Sequence, residues 1–131
     1  MRIGEVAART ELSLGAVRQY EQAGLVTPSA RSQGGLGLYT ESDAARLMFV
    51  RRMRALEFSL DEIHALLTAT DRLDAHDPPE PGERNALLER VGAFERATEE
   101  HIADLRARLT RAEEFSAALR ARTVDHARSP R

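Results

Sequence analysis

Near its start the chain places Ile3, Val6 and Ala7 three and four residues apart, the spacing of one helix face. The polar stretch TELS then breaks that pattern, and Ser13 is a fit N-cap for a second short helix running through about Gln22. Two short helices with so tight a break between them make a helix-turn-helix candidate. Gly24 reads as the C-terminal stop. From Leu25 to Tyr39, strand-like ends flank a loop rich in Ser and Gly, which predicts a small hairpin.

Thr40 with Asp43 three residues later opens another helix, for which Ala44, Leu47, Met48 and Met53 or Leu56 supply the buried face. Ser59 with Glu62 repeats the capping-box signature ahead of Leu60, Ile63, Leu66 and Leu67. Phe49 and Phe58 are expected in the core. The stretch DRLDAHDPPEPGE carries acidic residues, three Pro and a Gly, and reads as a linker or mobile loop.

From about Asn85 to Arg122 no Pro occurs, and apolar or small residues fall at Leu87, Val91, Phe94, Thr98, Ile102, Leu105, Leu109, Ala112, Phe115 and Leu119. Their spacing traces one stripe on a helix about 57 Å long. Between Phe94, Thr98 and Ile102 the heptad slips. A helix of that length, otherwise rich in Arg and Glu, outruns what so small a head can cover, and its most economical partner is the same helix of a second chain. These residues, Thr98 aside, are the expected dimerisation set. The stripe fits parallel or antiparallel pairing equally. The expected organisation is mainly α: a head over residues 1–68, a linker over 69–84, a dimerisation coil over 85–122 and a flexible tail over 123–131.

Composition narrows the function classes. A chain of 131 residues suits one modest domain, stable alone or with a partner subunit. It holds no cysteine, which excludes disulfides, thiolate metal sites and thiol redox chemistry. No apolar run approaches the roughly 20 residues of a membrane helix, and MRIGEVAART lacks a secretory core, so a cytoplasmic protein without a membrane partner is expected. Net charge is −2, and residues 1–68 balance eight Arg against eight acidic residues, so bulk charge does not point to nucleic acid. Every basic residue is nonetheless Arg, the better fork for phosphates and guanine edges. Neither a Gly-rich phosphate loop nor a nucleophile with a matched base is present, so neither an enzyme nor a cofactor is expected. The four His, at 64, 76, 101 and 126, are scattered, and His101 near the stripe reads as structural.

The segments RIGEVAART, SLGAVRQYEQAGL and GLGLYTESDAARLMFVRRMRALEFSLDEI, in that order and followed by a long coil, resemble the MerR family of bacterial transcription regulators. The resemblance is close over residues 1 to about 68 and rests on Arg18, Tyr20, Glu21, Gly24, Leu25, Pro28, Gly35, Tyr39, Asp43 and FSLDEI together. It implies a winged helix-turn-helix whose second helix enters the major groove, a hairpin wing along the flanking backbone, and terminal helices paired antiparallel into a dimer. It also implies a near-palindromic operator in a promoter whose two polymerase elements are spaced too widely, which the dimer bends or untwists so that RNA polymerase can engage.

Carried onto this chain, the resemblance places Ser13 and Leu14 at the start of the DNA-reading helix, with Ser13 able to reach a phosphate. Arg18 becomes a contact to a base edge or phosphate, and Tyr20 either a backbone contact or a core aromatic. Arg31 takes the basic position of the wing, and Tyr39 joins the DNA-binding set beside it. Arg51 and Arg52, from the cluster completed by Arg54, would clamp phosphates. A surface ion pair of Arg18 with Glu21 or Glu11 is the competing reading.

Departures from the family pattern are equally specific. Gln19 stands where an aromatic or His often precedes the Tyr, and could donate to an adenine edge. Glu11 replaces a Gly common in the turn, and Glu57 a Gly before FSL. In the wing, Leu36 and Gly37 stand where Tyr and Arg are usual, which removes one expected phosphate contact. Metal-sensing members use cysteines near both ends of the coil, absent here, and no ligand-binding domain is expected after the coil. A small-molecule effector would need a pocket near residues 68–84, lined by Leu66, Leu73 and Phe94. Two other readings stand beside the regulator: an architectural or recombination-directing DNA protein with the same head, and a coiled-coil interaction protein with a weakened one.

Overall fold

A computed structural model describes residues 1–128; the last three residues of the expected tail lie outside the described residues. The elements follow in the order α1 (Ile3–Thr10), α2 (Leu14–Gln22), β1 (Ala30–Arg31), β2 (Gly37–Leu38), α3 (Glu41–Ala55), α4 (Leu60–Leu73) and α5 (Pro81–Arg128). They fall into two compact units, Met1–Gly92 and a second beginning at Ala93.

Side-chain caps start α2, α3 and α4. Ser13 Oγ accepts from the Ala16 amide at 3.0 Å ahead of α2, which satisfies a donor that the helix itself leaves unpaired. Thr40 with Asp43, and Ser59 with Glu62, form reciprocal capping boxes ahead of α3 and α4. Backbone closures of one type end α1, α2 and α3. After α2, the Gly24 amide donates to Glu21 O and the Leu25 amide to Tyr20 O, with Gly24 left-handed at φ 77. The same pair of bonds recurs at Glu11 and Leu12, and at Glu57 and Phe58. There the left-handed residue is a glutamate, Glu11 at φ 57 and Glu57 at φ 67. A Cβ is unfavourable in that conformation.

Helix α1 packs on α2 and α3, and α3 on α4. Val6, Val17, Leu25, Leu47, Val50 and Ile63 are fully enclosed, each at 0% exposure. Thr10 is equally buried and donates its hydroxyl to Val6 O at 2.8 Å. Phe58 lies in the core as expected, whereas Phe49 is 38% exposed. The α3 core face is made by Ala44, Leu47 and Val50, and position 49 falls on the opposite side of the helix.

The hairpin is shorter than its sequence suggests, two residues per strand, with Ala30 opposite Leu38 and Arg31 opposite Gly37. Gly37 permits its packing, because a Cβ there would stand 2.8 Å from Pro28 Cγ. Arg46 joins three segments: its Nε donates to Leu25 O at 2.5 Å, and its two terminal nitrogens grip Asp71 at 2.8 and 3.0 Å. Arg72 donates to Asp77 O at 2.7 Å and to Glu83 Oε1 at 2.8 Å. Those bonds fasten the end of α4, the connecting loop and the first turn of α5.

That loop is briefer than the 69–84 linker read from the sequence. Helix α4 continues to Leu73, and α5 begins at Pro81. Proline suits a first helical position, where its missing amide costs nothing. At the other end α5 runs to Arg128, so residues 123–128 are helix rather than tail. Leu87, assigned to the dimer stripe, is only 8% exposed and belongs to the first unit, so that unit uses it as core. From Ala93 onward the second unit is helix, and Leu105, Leu109, Phe115, Leu119 and Val124 stand 45–66% exposed along it. Covering the part of each that is still exposed would contribute about 1–2 kcal/mol.

Candidate nucleic-acid interface

The αL turn at Glu11 ends α1 and the Ser13 cap starts α2, one side of which has no protein cover. Leu14 is 44% exposed, and Ser13, Arg18 and Gln19 are also exposed. Among the described residues the Arg18 guanidinium has no ion-pair partner: Glu21 and Glu11, its expected competitors, are engaged elsewhere.

Beside α2 and under the hairpin lies a concavity of about 240 Å³ lined by Arg2, Arg18 and Arg31, with Glu21, Tyr39 and the Gly35–Gly37 turn. Glu21 organises it. Its Oε2 accepts from the Tyr39 hydroxyl at 2.7 Å, and its Oε1 lies 3.4 Å from Arg31 Nη2. Arg31 also donates to Gly35 O at 3.3 Å, which keeps its guanidinium over the hairpin turn. Burial first, and the Glu21 carboxylate second, push the Tyr39 hydroxyl up to about 12. Tyr39 is therefore a neutral donor at any ordinary pH.

The expected DNA-binding residues thus separate into two groups. Ser13, Leu14, Arg18, Gln19 and Arg31 share one face, at α2 and the hairpin. Arg51, half-buried, and Arg52, exposed, come from α3. Arg51 Nη2 lies 3.2 Å from Glu11 Oε2, which brings it to the turn between α1 and α2. Tyr20 and Tyr39 do not join them at the surface: at 6% and 2% exposure their rings are core. Tyr39 acts from beneath, through Glu21. Arg2 and Glu21 complete the cleft and were not assigned there from the sequence. Arg18 and Glu21 are three positions apart, which signals one helix face, but nothing local brings Arg2 or the hairpin to it.

Residues 1–70 match the family model described as MerR HTH family regulatory protein, and residues 44–122 the model described as MerR, DNA binding. The chain belongs to the MerR family. Within it, the chain is 45% identical over 67 residues to the HTH-type transcriptional regulator ZntR of Escherichia coli K12, 51% of this chain and 48% of that one. It therefore spans about half the length of that relative. With CueR of Salmonella typhi it shares 34% identity over 105 residues, 80% of this chain and 71% of the relative. Among solved structures, the regulator PbrR691 from Ralstonia metallidurans CH34, in complex with lead(II), is 37% identical, with a TM-score of 0.54 over 87% of this chain and 86% of that one. HiNmlR, a MerR family regulator bound to promoter DNA, shares the fold at a TM-score of 0.69 and 20% identity, over 92% and 86% of the two chains.

The MerR fold shows what two of the departures in the sequence cost. Both positions where glutamate replaces the usual glycine, Glu11 and Glu57, adopt the left-handed conformation that glycine favours. The third, Gly37, leaves no room for the usual side chain beside Pro28. Among the described residues, no helix is long and apolar enough to cross a membrane, and no group of three or more His, Cys, Asp or Glu is placed to hold a metal ion.

Proposed function

We propose that this MerR-family chain is a sequence-specific, dimeric transcription regulator that binds and distorts a near-palindromic promoter operator. The observation that carries this reading is the exposed α2 face: Arg18, without an ion-pair partner, and Gln19 project beside a cleft lined with arginine. An α-helix fits the major groove, where an Arg fork reads guanine and a Gln amide reads adenine. In this reading Arg18 and Gln19 read bases, Ser13 and Leu14 meet the groove wall, and Arg2, Arg31, Arg51 and Arg52 take backbone phosphates. Tyr20 and Tyr39 position those residues from the core. Residues 1–68 serve as the DNA-binding domain, and the exposed stripe Leu105, Leu109, Ala112, Phe115 and Leu119 as the centre of the dimer contact, extended by Val124.

A dimer of such heads reads two half-sites, so the operator is expected to mirror the two-fold axis of the protein. Distortion of the DNA between the half-sites, at a cost of several kcal/mol, would realign a promoter for RNA polymerase. PbrR691 is found with lead(II), but this chain has no thiolate to offer a soft metal. An effector, where one acts, is of a class recognised without cysteine.

Selection of bound duplexes from a random DNA pool tests the reading. Enrichment of a near-palindrome that binds two chains per duplex is expected. Recovery of unenriched sequence after repeated rounds would overturn it.

A further inference from the structure

Glu11 meets two conditions that a residue serving only the turn would avoid. Its backbone is left-handed, φ 57 and ψ 34, where any Cβ is strained. The closure of α1 needs no side chain at all, since it is made by the amides of Glu11 and Leu12 on Ala8 O and Ala7 O. Glycine would serve the turn better. What the glutamate adds is charge: its Oε2 reaches 3.2 Å from Arg51 Nη2, with the two side chains 76% and 41% exposed. Strain retained where a side chain does something else points to a functional use of that side chain.

We propose that Glu11 restrains the attachment of the head to DNA by holding Arg51, so that a backbone phosphate must displace a carboxylate to reach the guanidinium. The inference rests on the DNA-binding reading of Arg51 given above. A pair this exposed is weak and exchanges readily, which is what a displaceable occupant requires. The hairpin repeats the arrangement, with Glu21 3.4 Å from Arg31. Two of the four arginines assigned to the backbone, Arg51 and Arg31, therefore carry an internal carboxylate, and Arg18, assigned to the bases, carries none. Backbone attraction is the part of binding that is blind to sequence. Screening it lowers affinity for all DNA alike, so that occupancy of a site depends more heavily on base reading.

Glu21 also holds Tyr39, so Glu11 is the cleaner position to test. Wild type, Glu11→Gln, Glu11→Gly, Arg51→Ala and the Glu11→Gln/Arg51→Ala double variant would be titrated with the pool-selected duplex and with a scrambled duplex of equal length, across salt concentrations. Glu11→Gln keeps the strained backbone and removes the charge. It should bind both duplexes about two- to fivefold tighter at low salt, with a salt slope steeper by about 0.9 for each further phosphate neutralised, and without a rise in melting temperature. Glu11→Gly should show the same tightening together with a higher melting temperature. Adding Arg51→Ala to Glu11→Gln should abolish the tightening. Unchanged affinity and slope in Glu11→Gln, while wild type still prefers the selected duplex, would overturn the proposal and leave the DNA reading intact. Tightening that survives in the double variant would overturn it as well, because the effect would then not pass through Arg51. Failure of wild type to prefer the selected duplex would remove the DNA reading and this inference with it.

Discussion

The Tyr39 hydroxyl donates to Glu21 Oε2 at 2.7 Å, tying the base of the hairpin to α2. Because burial and the Glu21 carboxylate raise the Tyr39 pKa from 10.0 to about 12, the fold favours the protonated phenol. This contribution is complete below pH 10 and is lost as pH climbs towards 12. Tyr39→Phe should cost about 1–2 kcal/mol at neutral pH and lose less stability than wild type across that alkaline window. Urea unfolding at a series of pH values measures both. Equal losses in the two proteins above pH 10 would refute the assignment.

At the other end of the scale, Asp43 stabilises the start of α3. Burial pushes its carboxyl up, but hydrogen bonds from Ser29 and Thr40 outweigh that and hold it below 3.8. Ser29 Oγ donates to its Oδ2 at 2.6 Å and the Thr40 amide at 2.9 Å. A depressed carboxyl contributes stability that is present above the unfolded pKa and disappears as pH falls through the folded one. Asp43→Ala should cost about 1–2 kcal/mol at neutral pH and flatten the acid limb of the stability curve below pH 3.8. An acid limb identical to wild type would contradict this.

Glu57 carries the strain of Glu11 with no ion-pair partner among the described residues. Glu57→Gly should stabilise the protein by about 0.5–1 kcal/mol, the relief of a left-handed Cβ less the extra chain entropy of glycine. Calorimetry should show a higher melting temperature with DNA affinity unchanged. A lower melting temperature would mean that the glutamate makes a contact worth more than its strain.

The exposed stripe of the second unit sets the oligomeric state in this account. Leu109→Glu with Phe115→Glu replaces two side chains that are 59% and 66% exposed in the single chain, so a monomer should tolerate the change and a dimer should not. Light scattering should report a dimer for wild type and a monomer for the variant. A variant that stays dimeric would place the contact elsewhere.

What could be read directly from the sequence was local. The Ser13 cap, the Thr40–Asp43 and Ser59–Glu62 boxes and the Gly24 stop each depend on residues within a turn of one another, and all four are where the sequence puts them. Pro81 was also a local signal, a proline suited to a first helical position, but it was masked by the neighbouring prolines and acidic residues that read as a linker. Side chains whose fate depends on distant segments were not legible. Tyr39 meets Glu21 across 18 residues, and Arg46 meets Asp71 across 25. Helical spacing put Leu87 on the coil stripe and left its burial in the first unit unseen, because period alone does not say which surface covers a face. The Glu11 and Glu57 departures were visible as substitutions, and their left-handed backbone only as coordinates.

The most direct test of the central claim is to titrate the pool-selected duplex and its scrambled counterpart with wild type and Arg18→Ala at several salt concentrations. If α2 reads the bases, Arg18→Ala should lose about 1–3 kcal/mol of preference for the selected duplex while still binding scrambled DNA with much of the wild-type strength. Weak binding that is blind to sequence in wild type, and unchanged by Arg18→Ala, would contradict the account.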